Sequence, residues 1–139
     1  MNAPLYTTEI LRLAASLKEP RQLEREDGRA EVRSPTCGSR IRTAVQLDER
    51  GRVVAISQQV HACAFGQAAS TLLERGAAQR GREDVAAGLA ELGAWLEGAE
   101  TVPQWPGISA LAPARSSKSR HGAILLPFRA LLAAMDARR

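Results

Sequence analysis

The spacing of apolar residues predicts an amphipathic helix near the amino end of the chain. Within residues 6–17, Thr7 or Thr8 is placed to cap the first turn, and apolar side chains recur at helical spacing: Ile10, Leu11, Ala14 and Leu17. Pro20 cannot continue a helix, and the charged residues that follow it as far as Gly28 are typical of a surface loop.

Three strand patterns come next, each bounded by turn residues. Residues 29–34 form a short candidate strand. Residues 41–47 alternate between apolar or β-branched positions and polar ones, which indicates a strand with one buried face. Residues 48–51 then predict a hairpin loop, and residues 52–60 predict a third strand. Since neighbours in sequence tend to pair, we expect an antiparallel meander in sequence order.

The second half of the chain is mostly helical in pattern. The small residues 64–70 run into a leucine-containing segment of helical propensity, and residues 83–96 form an amphipathic helix. Residues 101–119 contain three prolines and predict a loop with at most a short helical turn. Residues 122–137 predict a closing helix with Pro127 in its first turn. The fold class is therefore α+β, with a three-stranded antiparallel sheet packed by helices.

Length and charge narrow the picture. A chain of 139 residues fits one domain, 1–139, because two halves would each have little core. The formal charge is +4, but basic and acidic residues are interspersed, which argues against a nucleic-acid surface. No basic and apolar leader and no membrane-length apolar run is present in this sequence, so we expect a cytoplasmic protein with no membrane partner.

The chain has two cysteines, Cys37 and Cys63, at a separation of 63 − 37 = 26 residues. In a reducing cytoplasm a structural disulfide is disfavoured, which leaves free thiols, metal ligands or small buried side chains as the alternatives. The strand pair between them predicts that both lie at one exposed end of the sheet. Thiolates suit zinc, iron–sulfur clusters or Cu(I), and His61 and His121 are the imidazoles that could join them.

Two motifs carry a family resemblance. The segment Pro35-Thr36-Cys37-Gly38 is similar to a P-x-C-G-D motif, and residues 63–70, which read CAFGQAAS, are similar to a G-C-A-x-S-Q-A-S segment. In order and separation they resemble the two cysteine motifs of the NifU/IscU/SufU family of iron–sulfur cluster assembly scaffolds. The resemblance extends over essentially the whole chain and includes the Asp27-Gly28 loop.

The resemblance implies an α+β domain that holds zinc or a [2Fe–2S] cluster, with sulfur supplied by a cysteine desulfurase. It implies that Cys37 and Cys63 are ligands. This chain departs from the pattern twice, because Ser39 replaces the family aspartate and the third cysteine is missing. An ungapped match places Ala123 at the third cysteine, whereas a shifted match places His121 there, so we name Cys37, Cys63 and His121 as candidate ligands.

Three functions follow from the resemblance. The first is a non-enzymatic scaffold or carrier that binds an iron–sulfur cluster or iron and passes it from a cysteine desulfurase to recipient proteins. The second is a zinc-dependent sulfur acceptor, in which a thiolate attacks the desulfurase persulfide. The third is a degenerate member of the family that binds a partner without metal, which the changes at Ser39 and at the third cysteine favour.

Overall fold

The computed structural model describes residues 5–35 and 38–138. Within these ranges lie three strands, β1 (Gly28–Arg33), β2 (Arg40–Leu47) and β3 (Val53–His61). The same ranges contain the helices α1 (Thr8–Ala15), α2 (Ala64–Gly76), α3 (Arg82–Leu96) and α4 (His121–Asp136). No helix in this part of the chain has the length and apolar character needed to cross a membrane.

The strands form one antiparallel sheet in the order β1, β2, β3, which confirms the predicted meander and the α+β class. In the register, Val32 pairs with Ile41, and Ile41 pairs with Val60. Because successive side chains of a strand point to opposite faces, these three share the inner face of the sheet. The outer face carries mostly polar and charged side chains, such as those of Arg42 and Gln59, together with Ala44 and Ala55.

Asp27 anchors the start of β1 to the end of β2. Its carboxylate accepts a hydrogen bond of 2.9 Å from the Arg25 guanidinium and one of 2.7 Å from the backbone N–H of Leu47. The bond from Arg25 and then the bond from Leu47 hold the pKa of Asp27 below its usual value, because both stabilise the ionised form. This exposed contact fixes the loop that precedes the sheet.

Helix α4 packs on the inner face of the sheet and against α2 and α3. Leu126 and Ala130 of α4 form a small cluster with Ile41 of β2. A larger cluster joins α4 to the other helices and the far end of the sheet, and it is built mainly from aliphatic side chains with Phe65, Trp95, Trp105 and Phe128. The core thus lies between the sheet and the helices of the described residues.

Two predicted boundaries differ from the structure. Helix α1 spans Thr8–Ala15, shorter than predicted, with Thr7 as its cap because the Thr7 hydroxyl accepts a hydrogen bond of 3.1 Å from the N–H of Ile10. Helix α4 begins at His121, so Pro127 lies in the helix interior and the prediction of a first-turn proline was wrong. Proline has no N–H, and Pro127 therefore leaves the carbonyl of Ala123 without its usual helical donor.

The predicted loop 101–119 contains a long 3₁₀ helix, Ile108–Ser116, followed by a short one, Lys118–Arg120. Three apolar residues at a spacing of three explain it, because a 3₁₀ helix has three residues per turn and places them on one side. All three are buried: Ile108, Leu111 and Ala114. The prediction of a loop was based on the prolines and gave too little weight to apolar residues that recur at every third position.

Candidate functional site

Cys63 lies at the corner between β3 and α2, as the sequence predicts. It is the residue before the first turn of α2, in extended conformation, and it is half-buried. A negative charge on its sulfur would lie at the amino end of α2, where the helix dipole favours anions. The corner therefore presents a thiol in a place that suits a thiolate.

A depression of about 520 Å³ surrounds this thiol. It lies between the loop that joins β1 to β2, the end of β3, the start of α2 and the start of α4. Its lining residues are Gly38, Ser39, Val60, His61, Ala62, Cys63, Gln67, Ser119, Arg120 and Ala123. Three segments that are far apart in the sequence, around residues 38–39, 60–67 and 119–123, thus meet at one end of the sheet.

Cys37 lies outside the described residues, so its distance from Cys63 stays a prediction. The residues that follow it, Gly38 and Ser39, line the depression together with Cys63. The loop they belong to is closed by a hydrogen bond of 2.9 Å from the N–H of Ser34 to the carbonyl of Ser39. Gly38 has a positive φ of 73°, a conformation that favours glycine.

His121 faces another part of the molecule. Its Nε2 lies 3.0 Å from the carbonyl oxygen of Ala114 and 3.2 Å from that of Arg115, and its Nδ1 lies 3.8 Å from a carboxylate oxygen of Glu97. The side chain is buried and is not among those that line the depression. The assignment of His121 as a ligand stays a prediction, and it requires the ring to leave both carbonyls.

Ala123 lines the depression where a third ligand is expected. It lies beside α2 at a close approach of the two helices, because a Cβ atom built on Gly66 would lie 3.4 Å from the Ala123 Cβ and 2.6 Å from the Ala62 Cβ. The ungapped match, which places Ala123 at the third cysteine position, stays a prediction. The sequence motif names Gly66 but gives no sign of this contact.

Among the described residues that line the depression, the charged side chain is that of Arg120, a cation. Arg120 lies over Tyr6 and Phe65, 5.8 Å and 5.9 Å from their ring centroids. A second depression adjoins the first and shares Gly38, Ser39 and His61 with it, and Arg33 and Arg40 also line it. No carboxylate is among the described residues that line either depression. The arginines were missed by sequence reasoning, although the register of the strands could have placed two of them together.

The ligand chemistry of the site is only partly contained in the described residues. Within residues 5–35 and 38–138, no group of three or more His, Cys, Asp or Glu side chains is placed to hold a metal ion. Cys63 supplies a soft sulfur donor and His61 an imidazole at the same depression. These donor types fit zinc or an iron–sulfur cluster, whereas Ser39 and Ala123 contribute neither a carboxylate nor a thiol.

The fold and the cysteine corner define a class of known structures. A crystal structure of a NifU-like protein (N-terminal) from Brucella abortus matches with a TM-score of 0.85 and 27% identity, and the match covers 96% of this chain and 93% of that one. A structure from Fervidobacterium islandicum AW-1, described as a candidate iron–sulfur cluster assembly scaffold for the SUF system, has a TM-score of 0.83 at 18% identity and covers 94% and 96% of the two chains. No curated protein sequence matches this chain.

The family follows from the sequence itself. Residues 5–87 match the family described as NifU-like N terminal domain, which is more than half of the chain. This chain therefore belongs to the NifU-like N-terminal domain family, as the cysteine motifs predicted. In this chain Ser39 follows Gly38 where the P-x-C-G-D motif has an aspartate, and whether Ala123 or His121 corresponds to the third cysteine stays a prediction.

Proposed function

We propose that this protein is an iron–sulfur cluster assembly scaffold or carrier, acting in the cytoplasm, whose cargo is a [2Fe–2S] cluster or iron. Cys37 and Cys63 bind the cargo as thiolates. A cysteine desulfurase supplies the sulfur, and recipient apoproteins take the product. The protein holds and passes on the cargo and is not itself an enzyme.

One observation carries this proposal. Cys63 and the Gly38-Ser39 turn, which directly follows Cys37 in the sequence, line one depression at an open end of the sheet. The half-buried Cys63 is accessible to a partner that delivers iron or sulfur. With only two cysteines in the chain, the cargo is held by fewer protein thiolates than the four of a Cys₄ cluster, and such a site favours transfer over storage.

A sulfur acceptor is the second candidate, and the cationic lining of the depression favours it. The Cys63 thiolate attacks the outer sulfur of a desulfurase persulfide, the S–S bond of that persulfide breaks, and the desulfurase cysteine leaves as a thiolate. A new S–S bond forms on Cys63, and the net oxidation state of sulfur is conserved. Zinc bound by Cys37, Cys63 and an imidazole would position this thiol before the transfer.

The third candidate is a family member that binds a partner without metal. Ser39 and Ala123 favour it, because two donors of the family motif are absent from the depression. This candidate predicts that neither iron nor zinc remains with protein purified without oxygen.

Anaerobic reconstitution tests the proposed function. With iron and a sulfur source, we expect the wild type to form a labile species that absorbs visible light, and we expect Cys37→Ala or Cys63→Ala to reduce loading at least about tenfold, because each removes one of the two thiolates. Absorbance and bound iron are measured together. Normal loading in either variant would refute the ligand assignment, and zinc without colour in the wild type would favour the sulfur acceptor.

The two histidine variants test the third ligand. His121→Ala is compared with His61→Ala for bound metal and for cluster lifetime, and thermal unfolding is recorded because His121 is buried against two carbonyls. If His121 is a ligand, His121→Ala shortens the cluster lifetime and His61→Ala does not. If only His61→Ala loses metal, the imidazole at the depression is the ligand.

A further inference from the structure

The outer face of the sheet carries a row of basic side chains at the thiol end. The register pairs Arg33 of β1 with Arg40 of β2, and it pairs Arg40 with His61 of β3. These three residues, the basic row, alternate with the inward-facing Val32, Ile41 and Val60, so their side chains project from the outer face. The row crosses the whole sheet, two strand spacings or about 10 Å.

This arrangement works against stability. Two arginines directly opposite each other on one face of an antiparallel pair repel, and such pairs are destabilising. Two residues further along the same strands, Glu31 lies opposite Arg42. These two side chains form an ion pair of 3.1 Å, which stabilises the sheet where the Arg33–Arg40 pair does not. No carboxylate among the described residues lies within ion-pair distance of Arg40, and Arg33 has one contact of 3.5 Å to Glu31.

Glu31 neutralises only part of this charge. The hydrogen bond from Arg42 is the larger cause that holds the pKa of Glu31 below its usual value, and the bond from Arg33 is a smaller one. One carboxylate is thus shared by the guanidiniums of Arg33 and Arg42, whereas Arg40 forms no ion pair with the described residues. The basic row keeps a net positive charge beside the depression that holds Cys63.

We propose that the basic row docks an acidic segment of a partner protein at the mouth of the thiol depression. Two carboxylates about one strand spacing apart, roughly 5 Å, match the directly opposite Arg33 and Arg40 in charge and spacing. A nucleic-acid strand fits poorly, because its continuous backbone needs a longer basic groove with several aromatic side chains for base stacking, whereas this row spans three residues. A free phosphate fits poorly as well, since the side chain of Arg33 is 67% exposed and forms no enclosed cradle.

Docking here would place the partner against Cys63. His61 ends the row and also lines the depression that Cys63 lines. The acidic segment therefore orients the partner so that its reactive group faces the thiol. The inference rests on the charges alone and holds whether the cargo of the depression is a cluster, iron or sulfur.

The test uses a fluorescein-labelled hexaglutamate peptide and fluorescence anisotropy at low salt. We expect Arg33→Ser/Arg40→Ser to weaken binding about fivefold, because each exposed charge pair contributes modestly. The matched control is Arg12→Ser/Arg129→Ser, which removes the same charge from exposed positions on α1 and α4 and should change binding less than about twofold. Glu31→Gln should tighten binding, because it removes the negative charge that Arg33 shares with Arg42.

Two results would overturn the proposal. If both double variants lose the same affinity for the peptide, the peptide is attracted by the overall positive charge of the protein. If inorganic phosphate displaces the peptide when both supply the same concentration of negative charge, the basic row is a small-anion site. Cys63→Ala should bind the peptide as the wild type does. A failure of this docking thus stays separate from a failure of the proposed cluster loading, which is measured without a peptide.

Discussion

Ala123→Cys is expected to increase the affinity of this protein for zinc about tenfold or more. Ala123 lines the depression that Cys63 lines, and a cysteine there adds a third sulfur ligand at the position that an ungapped match assigns to the third cysteine. Each further thiolate adds a strong bond to zinc, and Cys63 already lines this depression. Competition with a chromophoric chelator in the absence of oxygen measures the affinity, and reconstitution with iron and sulfur should give a longer-lived cluster.

Ala133→Cys is the matched control for this gain. Ala133 is half-buried on the same helix, α4, and is not among the residues that line the depression. Its variant should bind zinc as the wild type does. An equal gain in both variants would mean that an added thiol binds metal wherever it lies, and no gain in Ala123→Cys would mean that the depression is not the metal site.

The strands and most helices could be predicted because their signals are local. Alternating apolar and polar residues in 41–47 identify β2, and the short connection 48–51 makes its pairing with β3 the simplest topology. The position of Cys63 at a strand-to-helix corner followed from the same patterns. These features depend on residues close together in the chain, so one sequence contains enough information to place them.

The lining of the site depends on packing between distant segments, and sequence patterns did not supply it. Whether Ala123 or His121 faces Cys63 is decided by the rotation of α4 against α2, where the absence of a side chain on Gly66 brings the helices close. His121 instead contacts carbonyl groups of the 3₁₀ helix Ile108–Ser116. The prolines of this segment had led to the prediction of a loop. Because this 3₁₀ helix was not predicted, the orientation of α4 could not be predicted either.

Trp105 shows the same limit in the core. It lies in the segment predicted as a loop, yet it is buried between α2, α3 and α4. The absence of side chains on Gly76 and Gly88 leaves room for its ring, since a Cβ atom on either glycine would meet ring atoms at less than 3.0 Å. The ring of Phe128 packs edge-on at 5.1 Å. Three helices therefore rely on one side chain from an irregular segment.

Trp105→Ala is expected to lower the free energy of unfolding by about 3–5 kcal/mol, because it leaves a large cavity among three helices. It also removes the hydrogen bond of 2.9 Å from the indole N–H to the carbonyl of Leu72, a buried acceptor. That loss is a large part of the roughly 5–15 kcal/mol that stabilises a typical domain. Urea denaturation followed by circular dichroism measures it, with the m-value checked for two-state unfolding.

Two further variants distinguish the contribution of the Trp105 ring to stability from that of its hydrogen bond and from that of the neighbouring residues. Trp105→Phe keeps an aromatic ring but loses the donor to Leu72, so we expect a smaller cost of about 1–3 kcal/mol. Gln104→Ala changes the exposed neighbouring side chain and leaves the backbone bond of 3.0 Å to Glu91 in place, so its cost should stay within about 0.5 kcal/mol. If Trp105→Ala lowered the free energy of unfolding by less than about 1 kcal/mol, the segment 101–119 would not support the helices. Other contacts would then have to hold α4 against α2 at the thiol end.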